Sequence, residues 1–374
     1  MGKKFCGEEL EAAIKRLPRG KFQMDAYLNA IQQADAAGDP YWRLMFRCDY
    51  CYEATFRDDP PKAIPVAAEF CALFEENAEA FIARSPDGAS EMHLMIMQMG
   101  IDPIVFLPQI PIKQWETMMA EFYRWVKYYH IGLRTYWWQM ARFWRYVDRK
   151  KAYEYFQKFW KTGRDGLSDC RTCERSYAVQ MELLMGNRAA ADEYAKPMEQ
   201  GRMRFCPDTP HLYWLAYLEY ALDHGDMKEA EKRANALYRK GNRDKSDLSY
   251  IGAILRCWAY TDPERALELF AKRLEWSIGM WDQKKVYDFD KGACVLFRRL
   301  AGVRQTVKLE LPQAFLLWRE DGRYSVEELA DWFQTQAESI GRRFDRRNSS
   351  HYFEQDLEAA LKQCDLSHFS TSNL

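Results

Sequence analysis

The chain of 374 residues carries 54 basic and 55 acidic side chains for a formal net charge of −1, which excludes a molecule globally committed to nucleic acid or to an acidic membrane surface. With 15% aromatic residues, 13 of them Trp, and only 19 Gly, the composition buries a large core and excludes a disordered chain. Ten scattered Cys without a secretory leader, no Ser or Thr where a myristoylation signal needs one after Gly2, and no apolar run of membrane length point to a reducing, cytoplasmic setting.

From Lys21 to Ala37, Phe22, Ala26, Ala30, Ile31 and Ala34 recur at helical steps, and Gly38-Asp39-Pro40 ends the helix. A second helix runs from Tyr41 to about Phe56. After Asp58-Asp59-Pro60-Pro61 a third carries Ala63, Ala67, Phe70, Phe74 and Ala78 on one face, its prolines standing where a helix can accept them. Met92 to Met99 reads as a short helix, and Pro103, Pro108 and Pro111 interrupt the chain before a helix from Ile112 to Tyr129. Helical pairs follow: Tyr136–Val147 with Lys151–Trp160, Cys173–Met185 with Ala189–Met198, Leu212–Leu222 with Lys228–Tyr238, and Leu248–Tyr260 with Pro263–Trp276. A helix from Gln283 to Leu300 precedes an extended segment in which Val307, Leu309 and Leu311 alternate with polar residues. Asp321-Gly322-Arg323 makes a turn, and Ser325 with Glu328 has capping-box spacing ahead of a helix bearing Leu329, Trp332, Phe333 and Ile340. The last residues, 370–374, are expected to fray.

The pairs share one punctuation. Asp59, Asp148, Asn187, Asp226 and Asp262 are each followed four residues later by alanine, at Ala63, Ala152, Ala191, Ala230 and Ala266, and the last four turns are 39, 39 and 36 residues apart. A small residue at that point lets the second helix approach the first, while Tyr136, Trp214 and Tyr250 are expected to fill the layer between units. The expected architecture is all-α: an α-solenoid of helical hairpins over residues 1–301, then an extended segment and an irregular C-terminal helical cap over 302–374.

These residues resemble the tetratricopeptide-like (TPR-like) helical-repeat superfamily from about Tyr41 to Trp276. A narrower likeness rests on Cys170-Arg171-Thr172-Cys173, Gly186, Ala191, Gly201, Cys206-Pro207, Pro210-His211, Gly225 and Ala230, with Phe344-Asp345-Arg346-Arg347-Asn348 in the tail. That string is similar to little-characterised bacterial repeat proteins, and the likeness implies a bacterial cytoplasmic protein with no established activity. The Lys/Asn/Arg set by which some tetratricopeptide proteins clamp a peptide carboxylate is not evident. Nor is an N-terminal helix-turn-helix.

Two constellations could carry function. Cys170 and Cys173 open one unit, Cys206 lies in the loop before the next and His211 begins its first helix, so stacking would gather a tetrahedral zinc shell that staples two units together. The competing reading is cysteine as a small core residue, which Cys48 and Cys51 illustrate. On the helix around Trp137, Met140, Ala141, Trp144 and Val147, the residues Arg134, Trp138, Arg142, Arg145 and Arg149 follow another face; they form either a partner-binding groove or a solvated surface. His93, His130, His224 and His351 stand apart, Asp288 and Asp290 flank Phe289 in what reads as a loop, and no phosphate-cradling or nucleophile motif occurs. The expected function is a non-enzymatic scaffold that binds a protein or peptide segment of acidic character, with one structural zinc and no other cofactor. The alternatives are a ligand- or peptide-sensing regulator and, last, an enzyme or effector with its site in the C-terminal part.

Overall fold

A computed structural model describes residues 5–241 and 243–365. The terminal residues 370–374, expected to fray, lie outside the described residues. The chain is all-α apart from one short strand pair among the described residues. It divides into two compact units, Met1–Met140 with Lys158–Ser168, and Ala141–Gln157 with Asp169–Leu374.

The first unit begins with α1 (Gly7–Ile14), which the periodicity did not single out, followed by α2 (Lys21–Ala37), α3 (Trp42–Arg57), α4 (Ala63–Arg84), α5 (Ala89–Ile101) and α6 (Ile112–Tyr129). Each of α2 to α6 packs on its predecessor in the chain. The stripe on α2 is real, with Ala30, Ile31 and Ala34 buried, but Phe22 stands outside it at 65% exposure and Met24 and Tyr27 take the core positions. Between α5 and α6, Pro103, Pro108 and Pro111 give a short 3-10 turn and an irregular linker, because proline lacks the N–H that a helix interior requires.

Two helices, α7 (Leu133–Trp144) and α8 (Arg149–Lys161), contribute residues to both units. In the second unit, α9 (Arg171–Leu184) pairs with α10 (Arg188–Glu199), α11 (His211–Asp223) with α12 (Met227–Lys240), and α13 (Leu248–Thr261) with α14 (Pro263–Ser277). The first helices also adjoin in succession: α9 lies beside α11, α11 beside α13, and α13 beside α15 (Gln283–Ala301). The turn chemistry explains the pairs. The Asp226 carboxylate accepts from Glu229 N at 3.1 Å and that of Asp262 from Arg265 N at 3.2 Å, each capping the helix that follows. All five alanines of the Asp/Asn-to-Ala step, Ala63, Ala152, Ala191, Ala230 and Ala266, are 0% exposed. The layer-filling aromatics are different from those expected: Tyr136, Trp214 and Tyr250 are only partly buried, whereas Tyr213, Tyr217 and Trp258 are enclosed.

Among the described helices, α13 and α15 share the most extensive contact. A Cβ on Gly252 would stand 2.2 Å from the Asp288 carbonyl oxygen, and one on Gly292 would stand 2.1 Å from that of Gly252, so the two backbones touch where neither carries a side chain. Asp288 and Asp290, whose spacing also suited a loop, lie inside α15, the helix expected from Gln283 to Leu300, and are buried. Beyond it β1 (Thr306–Lys308) pairs antiparallel with β2 (Arg323–Ser325), with Val307 opposite Tyr324. Ser325 caps α16 (Val326–Asn348), accepting from Glu328 N at 3.3 Å. A final helix, α17 (Tyr352–Asp365), was not singled out from the sequence; Phe353 and Leu357 bury it against Tyr287, Ile340 and Phe344.

Candidate metal centre

Three of the four expected ligands converge in the second unit. Cys170 is the N-cap of α9, where its sulfur accepts from Cys173 N at 3.3 Å, so the two-residue gap turns both thiols toward one point. The loop before α11 is tied to the start of α9 by Thr172, whose hydroxyl donates to the Arg204 carbonyl at 2.7 Å. That tether brings Cys206 Sγ to 3.2 Å from Cys173 Sγ. The sulfurs of Cys170, Cys173 and Cys206 all lie within 4.8 Å of one another, and no other group of three Cys, His, Asp or Glu among the described residues is gathered in this way. A tetrahedral shell with Zn–S bonds of about 2.3 Å places sulfurs about 3.8 Å apart, so the donor set fits three corners of a zinc site with small adjustments.

The thiols are electrostatically unequal. Burial and the neighbouring sulfurs of Cys206 and Cys170 push Cys173 upward. Burial acts the same way on Cys206, but hydrogen bonding to Thr209 and to Cys173 outweighs it and holds this thiol below the usual range.

His211 does not join them. Its ring stacks on Tyr250 of α13, centroids 5.7 Å apart and planes inclined by 14°. The set of four ligands expected from spacing is thus corrected to three cysteines. Cys48 and Cys51 are plain core residues, 4% and 0% exposed, with burial raising both thiols.

The basic groove expected on α7 is also corrected in part. Arg134 is 5% exposed and donates to the carbonyl of Phe159 at 2.9 Å and to that of Thr162, serving the open C-terminal carbonyls of α8. Trp138 is buried against Phe159. Neither residue can meet a partner. Arg142 and Arg145 are half-buried and Arg149 is exposed, its guanidinium 5.5 Å from the Tyr352 ring. Much of the interleaving of aromatics with cations resolves into contacts inside the chain, such as Lys151 at 3.3 Å over Trp144 and Lys158 at 4.7 Å over Trp137.

Among the histidines, His93 is wholly buried and stacks on Phe74 with centroids 3.9 Å apart; burial lowers it to about 3, which fixes it as a neutral core ring. No helix among the described residues is long and apolar enough to cross a membrane. No family model, curated protein or solved structure matches the chain.

Proposed function

We propose that the chain is a non-enzymatic helical-repeat scaffold, a TPR-like α-solenoid that holds a segment of another protein. The observation that carries this reading is the succession of first helices α9, α11, α13 and α15, each beside the next, with α10, α12 and α14 paired to the first three. Hairpins arranged in this way bury their apolar faces on neighbours and leave one long surface for a ligand. With Arg134 and Trp138 withdrawn into the core, the half-buried Arg142 and the exposed Arg149 supply positive charge toward an acidic segment. In the same reading, zinc held by Cys170, Cys173 and Cys206 staples the start of α9 to the loop before α11, so that two repeats keep a fixed spacing.

Selection of short peptides from a display library on the intact chain is expected to enrich acidic segments. Combining Arg149→Glu with Arg142→Gln should weaken their binding about tenfold, roughly 1.4 kcal/mol, without lowering the melting midpoint. Enrichment of no sequence class, or acidic peptides that bind both proteins equally, would remove the support for this surface.

A further inference from the structure

The three thiols of the candidate metal centre differ in how solvent reaches them. Cys170 is exposed and Cys206 half-buried, whereas Cys173 is enclosed at 6% exposure. One pair is in direct contact, because Cys173 Sγ and Cys206 Sγ stand 3.2 Å apart although 33 residues separate them in the chain.

Hydrogen bonds on both sides of Cys206 hold the pair together. The Thr172 hydroxyl, next to Cys173, donates to the Arg204 carbonyl at 2.7 Å, and the Thr209 hydroxyl accepts from Cys206 N at 2.9 Å. Cys170 Sγ is engaged instead by Cys173 N at 3.3 Å.

A disulfide holds its sulfurs about 2.05 Å apart, so an approach of about 1 Å joins Cys173 to Cys206. That bond links the start of α9 to the loop before α11, the same two segments that zinc joins at this centre. The two links exclude each other. A sulfur in a disulfide is no longer a thiolate donor, and Cys170 alone is too small a shell to keep the ion.

We propose that Cys173 and Cys206 are a redox pair that exchanges bound zinc for a disulfide, with hydrogen peroxide as the oxidant; this rests on zinc being the ion held there. The sulfur of Cys206, the more accessible of the two, attacks one peroxide oxygen. The O–O bond breaks, an S–O bond forms, and the hydroxide released takes a proton and leaves as water. The Cys173 sulfur then attacks that of Cys206, the S–S bond forms as the S–O bond breaks, and a second hydroxide takes a proton and leaves as water. The two sulfurs together lose two electrons, and the peroxide oxygens gain them. The two repeats stay joined while the ion departs, so oxidant is converted into free zinc.

The test treats the full chain, purified without a metal-binding tag and reconstituted with zinc, with about one equivalent of hydrogen peroxide. A chromogenic chelator reads zinc release, and tryptic mapping without reductant reads the disulfide; cleavage after Arg171 parts Cys170 from Cys173, so each pairing gives a different peptide. Loss of about one zinc per chain is expected together with a Cys173–Cys206 bridge, both reversed by dithiothreitol and added zinc. Cys170→Ser, which leaves the pair intact, should form the same bridge, and Cys206→Ser should form none. A bridge between Cys170 and Cys173 instead, or zinc retained with Cys173 and Cys206 still free thiols, would overturn this inference alone. A chain that takes up no zinc on reconstitution would remove the zinc reading and the exchange together.

Discussion

Two buried places, one in each unit, treat ionisable groups by opposite means. In the first, His93 is enclosed by Phe70, Phe74, Trp125 and Tyr129, its Nδ1 is 2.9 Å from the Tyr129 hydroxyl, and the ring stays neutral. In the second, two ion pairs at α15 keep their charges, Lys284 with Asp288 and Lys291 with Asp356. Apolar enclosure removes a charge and leaves nothing for a ligand to read. A network of charged side chains retains polarity instead.

The same contrast appears in the backbone. The second unit repeats one turn, an Asp or Asn cap followed by an enclosed alanine, and its helices come in pairs. The first unit changes direction through proline-rich linkers and 3-10 turns, with helices packed in chain order. The Asp-to-Ala step occurs in the first unit too, at Asp59 and enclosed Ala63, but there it is not repeated at a regular spacing.

The largest expected effect tests the closest contact of the second unit. Gly252→Ala or Gly292→Ala must push α13 and α15 apart, since the clash is with backbone; either should cost ~3 kcal/mol or more, measured by urea unfolding. A loss below about 1 kcal/mol would mean that the two helices separate easily.

Next comes the first unit's neutral histidine. The His93 pKa falls from 6.5 to about 3 on folding, so between those pH values the unfolded state takes up a proton that the folded state refuses. Stability should therefore fall as pH drops below 6.5, by up to ~1.4 kcal/mol per pH unit until the folded pKa is reached. His93→Phe is expected to flatten that part of the pH profile; an unchanged slope would show that other groups carry it.

The smallest effect on stability concerns the cysteines. Cys173→Ser should cost about 1 kcal/mol in metal-free protein, the ordinary price of a buried substitution. Metal content is the sharper readout. Protein purified without a metal-binding tag is expected to hold about one zinc per chain, kept in His211→Ala and lost in Cys173→Ser. Metal-free wild-type protein would reduce the three thiols to packing residues, and loss of zinc in His211→Ala would restore the histidine as a ligand.

Local pattern determined the helices and many of their ends. The α2 and α6 bounds were legible from residue spacing, because amphipathic periodicity and proline or glycine punctuation act within a few residues of chain. The five enclosed alanines were legible for the same reason: the Asp or Asn cap and the first turn of the helix behind it are one local unit. Convergence of Cys206 on Cys170 and Cys173 was readable only through the repeat spacing, which states that one loop returns near the previous one.

Tertiary structure decided the rest. Spacing gave no direction for the His211 ring, which packs on Tyr250, nor for Arg134 and Trp138, whose face is settled by the end of α8 and by Phe159. Asp288 lies in the helix expected from Gln283 to Leu300, but spacing gave no partner for it; Lys284, one turn earlier in α15, supplies that pairing. The backbone contact of Gly252 with Gly292 joins α13 and α15, segments far apart in the chain, so no local signal could reveal it. A helix's period comes from its own backbone, whereas the charges that remain unmatched in a core depend on every segment packed around them.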